Sequence, residues 1–151
     1  MMRTIETLQG YVTVRKFNGF TLPVPLQNSV LRDYCKNKNA TYALPLCEMQ
    51  FDGCFLQLNA TVDAASNNHG ITMCSLYMLP ESEKLRHKFF NALIAKGSEA
   101  HFVFEGIVVS DLSSVENVEE FFQLRNVINN AQKTMDKTLL GEDASLANFC
   151  G

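Results

Sequence analysis

The residues of this chain with chemistry to offer are a few carboxylates, one histidine and a scattering of arginines. Glu48 and Glu105 follow short apolar runs, and two carboxylates in unlike surroundings can take opposite acid and base roles. His101 lies within the apolar run that ends at Glu105, as a third proton-transfer candidate or a hydrogen-bonded core histidine. Arg15 follows the first β-prone segment and is the natural holder of an anion. Gln27, Asn28 and Arg32 lie along the next helical segment, while Ser75 and Tyr77 close a later strand. These six are the candidate substrate-binding groups, and Glu48, Glu105 and His101 the candidate catalytic ones. On this reading Glu48→Gln removes turnover and spares the fold.

Several chemistries lack their signatures. No GxGxxG or GxxxxGK[ST] run occurs, so no dinucleotide or P-loop cofactor is expected. The three histidines and five cysteines show no metal-ligand spacing, and no metal is expected. Cys54 sits where a helix begins, but a packed thiol is the commoner state of a free cysteine. The net charge of -3 and scattered basic residues argue against nucleic acid. The odd number of cysteines, without CxxC, suits a reducing compartment. With no apolar leader at Met1–Glu6 and no membrane-length apolar run, the expected location is cytoplasmic.

The elements that must position these groups read as alternating strands and helices. Leu8–Arg15 is β-prone, and Pro25 fits the first turn of a helix carrying Leu26, Val30 and Tyr34, with Leu31 and Cys35 beside them. Thr41–Leu46 is a second strand. Asp52 offers an N-cap to a helix carrying Phe55, Leu58 and Val62. Ile71–Leu76 is a third strand. Ser82 caps a helix carrying Leu85, Phe89 and Leu93, with Lys84, Arg86 and Lys88 as its solvated face, and Gly97 ends it. Glu99–Phe104 is a fourth strand, which Ile107–Val109 extends or follows with another. Ser113 and Glu116 form a capping box for a helix with Val118, Phe121, Phe122 and Ile128 inward.

Helix-length crossovers imply parallel strands with helices on both faces, an α/β three-layer sandwich of four to five strands. The strand order 2-1-3-4 satisfies the right-handed crossover rule without being required by it. Residues 1–133 read as one domain. Residues 134–151 read as a tail, helical or interface-forming, and a homo-oligomer is expected. In open parallel sheets ligands bind beyond the carboxyl ends of the strands. The loops there carry Arg15, Gln27, Asn28, Glu48, Ser75, Tyr77 and Glu105.

Gly10-Tyr11-Val12-Thr13-Val14-Arg15 resembles the opening strand of the serine recombinase (resolvase) catalytic domain, and the layout through Leu79 and Glu105-Gly106 is similar. That resemblance implies a resolvase-like fold without recombination. The family's nucleophilic serine falls at Arg15, its first arginine at Thr13, and its later arginines at Met78 and Glu81.

A second resemblance covers most of residues 9–106. Gly10-Tyr11 through Arg15, Pro25-x-Gln27-Asn28-x-x-x-Arg32-Asp33-Tyr34, Leu44-Pro45 with Glu48, Ser75-Leu76-Tyr77-x-Leu79-Pro80 and His101-Phe102-x-x-Glu105 are similar to a family of short bacterial proteins. These "sporadic carbohydrate cluster" proteins occur in surface-polysaccharide biosynthesis loci. Where that pattern has Ser before the Glu, this chain has Pro45-Leu46-Cys47. The resemblance implies a place in lipopolysaccharide or capsule synthesis. The expected function is a cofactor-independent isomerase, epimerase or lyase acting on a sugar, sugar phosphate or nucleotide sugar. A non-catalytic carbohydrate- or nucleotide-binding or scaffold module is the alternative.

Overall fold

The computed structural model describes residues 5–48, 51 and 53–149, the last nine only as part of a helix. The proposed capping residue Asp52 and the cysteine Cys150 lie outside the described residues. The elements are β1 (Thr7–Gly10), α1 (Val24–Asn37), β2 (Thr41–Ala43), α2 (Leu56–Ala64), β3 (His69–Met73), a 3-10 turn (Leu76–Met78), α3 (Glu83–Ala95), β4 (Ala100–Phe102), β5 (Ile107–Val109) and α4 (Leu112–Phe149). The residues fall into two compact units, Met1–Val118 and Glu119–Gly151, and α4 passes from one to the other.

The first unit is an α/β sandwich on a five-stranded sheet in the order β2-β1-β3-β4-β5. β2, β1, β3 and β4 run parallel, and β5 pairs antiparallel with β4, Phe102 opposite Ile107. Stepping outward to β2 and back to β3 with right-handed crossovers puts α1 on one face and α2 and α3 on the other. Neighbouring residues of β4 mark the two faces. The His101 ring meets Tyr34 of α1, while the Phe102 ring meets Phe90 of α3 at 6.3 Å. Leu8, Ile71, Met73, Phe90, Leu93 and Phe102 are almost wholly buried and fill the core.

The strands are shorter than the apolar runs that contain them. β1 stops at Gly10, yet Tyr11, Val12 and Thr13 are all buried. Single backbone bonds continue the ladder, from Tyr11 N–H to Thr72 and from Glu48 N–H to Val12. β2 stops at Ala43 because the Gln9 side-chain amide donates to the carbonyls of Ala43 (3.2 Å) and Leu44 (3.0 Å). Leu44 and Leu46 are then exposed. Gly106, at φ 67°, turns the chain from β4 into β5.

Three helix faces differ from the sequence reading. In α1 the buried residues are Gln27, Leu31 and Cys35, so the inward face lies one position on from the Leu26–Val30–Tyr34 stripe, and Leu26 is exposed. A buried amide with backbone partners outweighs an apolar side chain there. Arg86 of α3 is buried rather than solvated, because its guanidinium donates to the carbonyls of Pro80 (3.0 Å) and Glu81 (2.6 Å). Ser82 caps α3 as expected, accepting from Leu85 N–H at 3.4 Å. In α4, Val118 and Phe122 are buried, but Ile128 is 55% exposed.

The start of α4 is capped by Asp111 and not by Ser113. The Asp111 carboxylate accepts the Ser114 N–H at 2.8 Å, and Ser114 Oγ accepts the Asp111 N–H at 3.1 Å. The Ser114 N–H foremost, with the Ser114 hydroxyl donating to the same carboxylate at 2.8 Å, holds the Asp111 carboxyl below its ordinary range. The helix continues without a break through position 134.

Gly10 stands where the sheet meets Tyr42. A Cβ at this position would lie 2.5 Å from the Tyr42 hydroxyl oxygen and 2.8–2.9 Å from ring carbons. The ring is held there by Tyr42 Oη donating to Asn28 Oδ1 at 2.6 Å. Gly10→Ala is therefore expected to push the ring off Asn28 and cost about 1–2 kcal/mol, as overpacking does. Urea unfolding of Gly10→Ala beside Gly10→Ala/Tyr42→Phe checks this. Equal losses in both variants would show that the Asn28 bond is not what resists the added methyl.

Candidate functional site

The carboxyl edge of the sheet is assembled around Tyr11, which sequence reading treats only as a strand residue. Its ring is buried, and a buried phenol needs a polar partner. Tyr11 Oη donates to Glu48 Oε2 at 3.0 Å and accepts from Arg15 Nη2 at 3.0 Å. Burial foremost, with the Glu48 charge beside it, pushes the Tyr11 hydroxyl well above the ordinary phenol range. It therefore stays protonated and donates to the carboxylate.

Glu48 is itself buried. Beyond Tyr11, its carboxylate accepts the N–H groups of Gln57 (3.1 and 3.2 Å) and Leu58 (3.2 Å) and lies 3.6 Å from Cys54 Sγ. Phe55 occupies the N-cap position of α2 and supplies no side-chain cap. A glutamate brought from the preceding loop thus takes the place of a cap on the positive end of the helix. The Tyr11 hydroxyl, the Cys54 thiol and two N–H groups thus surround one carboxylate, which they commit as a hydrogen-bond acceptor.

Arg15 stands beside this arrangement. Its Nε donates to Thr13 Oγ1 at 3.2 Å, and its guanidinium carbon lies 4.4 Å from the centre of the Phe55 ring. Its direct contacts, Tyr11, Thr13 and Phe55, are neutral groups, and the Glu48 carboxylate stands on the other side of the Tyr11 hydroxyl. Two of these neighbours follow β1 in the chain, and the third, Phe55, stands at the start of α2.

Gln27 is wholly buried, and its amide is committed to the backbone. Oε1 accepts Thr13 N–H at 3.2 Å, while Nε2 donates to the carbonyls of Thr13 and Leu22, each at 2.7 Å. It therefore staples the loop that carries Arg15. Asn28 receives the Tyr42 hydroxyl, and Arg32 is exposed, 6.0 Å from the Tyr42 ring centre.

The second carboxylate organises the next loop. Glu105 Oε1 accepts Ser75 Oγ–H at 2.5 Å, and the Glu105 oxygens accept Leu76 N–H at 3.2 and 3.3 Å. Ser75 Oγ also accepts Tyr77 N–H at 3.2 Å, which caps the 3-10 turn. Glu105 and Ser75 thus form one unit at the ends of β4 and β3. Arg15 and Glu48 form another, joined through Tyr11, at the end of β1.

His101 belongs to neither unit. Its Nδ1 lies 2.6 Å from Tyr34 Oη and its Nε2 lies 2.8 Å from Glu99 Oε1. Glu99 precedes β4, and Tyr34 lies in the last turns of α1, so these partners sit toward the amino end of the sheet. Burial raises the thiols of Cys35 to about 11 and of Cys74 to about 12, so both remain protonated. No disulfide links the cysteines among the described residues.

Comparison with known proteins adds a likeness of shape alone. No family model matches the chain, and no curated protein matches it. Among solved structures it is similar to the N-terminal catalytic domain of TP901-1 integrase, at 14% identity and a TM-score of 0.48, covering 84% of this chain and 98% of that one. No helix among the described residues is long and apolar enough to cross a membrane.

Proposed function

We propose that the carboxyl edge binds an anionic sugar ligand of bacterial surface-carbohydrate biosynthesis, a sugar phosphate, sugar acid or nucleotide sugar, with Arg15 as its anion clamp. The observation that carries this reading is the setting of Arg15. A half-buried guanidinium is fixed in place by two hydroxyl oxygens and a ring, none of which neutralises it. Such a preorganised fork suits phosphate or carboxylate. The loops of the same edge expose Phe20, Leu46 and Phe51, the apolar surface that ligand sites commonly present around a few polar groups. The resemblance of residues 9–106 to the carbohydrate-cluster proteins supplies the ligand class.

Binding without chemistry is the first form of this reading, since Glu48 and Glu105 already accept several hydrogen bonds each. A cofactor-independent isomerase, epimerase or lyase acting on the same ligand is the second, favoured by the short Ser75–Glu105 contact.

A thermal-shift screen over those ligand classes, run on wild type and Arg15→Ala, tests the proposal. At a hundredfold excess over its dissociation constant a ligand adds about 2.7 kcal/mol, worth roughly 5–10 °C for a chain of this size. The expected result is such a shift in wild type and none in Arg15→Ala. A shift that Arg15→Ala retains would remove Arg15 from the site, and no shift with any class would remove the proposal. Conversion of the ligand, lost in Glu105→Gln, would select the enzymatic form.

A further inference from the structure

Beyond the ligand edge, the second unit presents a surface of its own. Between Glu119 and Leu139 α4 is amphipathic, and its apolar side is open. Leu124, Val127, Ile128, Met135 and Leu139 are exposed by 57%, 64%, 55%, 62% and 56%. At 3.6 residues per turn these side chains, with Ala131, fall on one stripe. Asn126, Asn129, Asn130, Lys133 and Lys137 occupy the other side and are exposed as well. An apolar stripe this long is not left to water in most folded proteins.

The spacing selects the occupant. Phe121, Leu124, Ile128, Ala131, Met135 and Thr138 alternate steps of three and four, which is the seam of a two-stranded coiled coil. A partner helix must carry the same repeat to interlock with it, and a second copy of this chain carries it by construction. We propose that residues 121–138 pair with the same segment of a second copy as a parallel coiled coil.

Ile128 at an a position and Leu124 at a d position favour two strands over three or four. The direction follows from the charges beside the seam. In a parallel register Glu120 falls opposite Arg125 of the partner subunit, and the contact occurs twice. Antiparallel pairing instead brings the acidic start of the segment toward Thr134 and Leu139, which carry no charge. A membrane surface fits less well. Glu119, Glu120 and Asp136 balance Arg125, Lys133 and Lys137, so the polar side lacks the basic excess of interfacial helices.

Sedimentation equilibrium of the full chain at roughly 10–100 μM is the test, a range suited to a short coiled coil of micromolar affinity. The expected result is a dimer in wild type and in Asn126→Lys/Asn130→Lys on the polar side, and a monomer in Leu124→Lys/Ile128→Lys. Unchanged thermal unfolding of the first unit would show that the lysines act on association and not on folding. Ala131→Cys should form a disulfide-linked dimer under mild oxidation, scored against wild type, because parallel pairing sets position 131 against itself. A wild-type monomer across that range, or a dimer that survives Leu124→Lys/Ile128→Lys, would overturn the pairing. A dimer that gives no Ala131→Cys cross-link would overturn its parallel direction.

Discussion

Glu48→Ala is expected to destabilise the protein by about 3–5 kcal/mol, lowering the unfolding midpoint by roughly 10 °C. The carboxylate is 2% exposed and bonded to Tyr11 Oη and to the N–H groups of Gln57 and Leu58. Hydrogen bonds to a charged group contribute about 1.5–3 kcal/mol each, and removing the acceptor strands buried donors at full desolvation cost. The first turn of α2 then loses the carboxylate that caps it, since Phe55 provides no side-chain cap. Glu48→Gln retains one carbonyl oxygen but turns an NH2 group toward N–H donors, so about 2–3 kcal/mol is expected there. Urea denaturation of both variants checks the order. A loss below about 1 kcal/mol in Glu48→Ala would mean that water replaces the carboxylate at no great cost. Glu48→Gln is thus no clean probe of proton transfer, because the substitution disturbs the start of α2 along with any chemistry.

How far the sequence foretells this arrangement depends on the range of the forces involved. Alternation of apolar runs, Ser82 as a cap and Pro25 in a first helical turn are local signals, and the structure agrees with them. The gathering of Arg15, Glu48, Ser75 and Glu105 at the carboxyl edge follows from strand polarity, which any parallel α/β reading supplies. The roles of Gln27 and Arg86 do not follow, and for His101 the sequence offers the hydrogen-bonded core histidine that the structure shows without naming its partners. Each is decided by partners that periodicity cannot see: backbone carbonyls for Gln27 and Arg86, and Glu99 with Tyr34 for His101. Tyr11 is missed for the same reason. One signal was present in it, since a tyrosine in an otherwise apolar strand must find a partner for its hydroxyl once buried. The end of the inward face in α4 was also hidden. Val118 and Ile128 are alike as residues, and only burial separates them.

Gln27→Leu carries the second large effect, and it separates scaffolding from ligand contact. Leucine nearly matches glutamine in volume, so packing around α1 should survive, but Thr13 N–H, Thr13 C=O and Leu22 C=O all lose their partner. Each stranded buried group costs about 1–3 kcal/mol, and a total of about 3 kcal/mol is expected. The loss should concentrate in the loop between β1 and α1. Amide exchange of residues 13–23 should quicken more than that of β3 or α3, because local opening no longer breaks the staple. Gln27→Glu tests the direction of the bonds: a carboxylate can still accept from Thr13 N–H, but it faces two carbonyl oxygens without a donor. It should be at least as damaging as leucine. Uniform exchange across the sheet, or a loss under about 1 kcal/mol, would show that the loop keeps its shape without Gln27. The same variant bears on binding. Thr13 Oγ1 holds Arg15 by both its backbone N–H and its Nε. A ligand gripped by Arg15 should therefore bind more weakly to Gln27→Leu than to wild type, though Gln27 touches no part of it. If Gln27→Leu instead loosens the loop and leaves ligand affinity unchanged, Arg15 is held by Tyr11 and Phe55 alone, and the Thr13 contact is incidental.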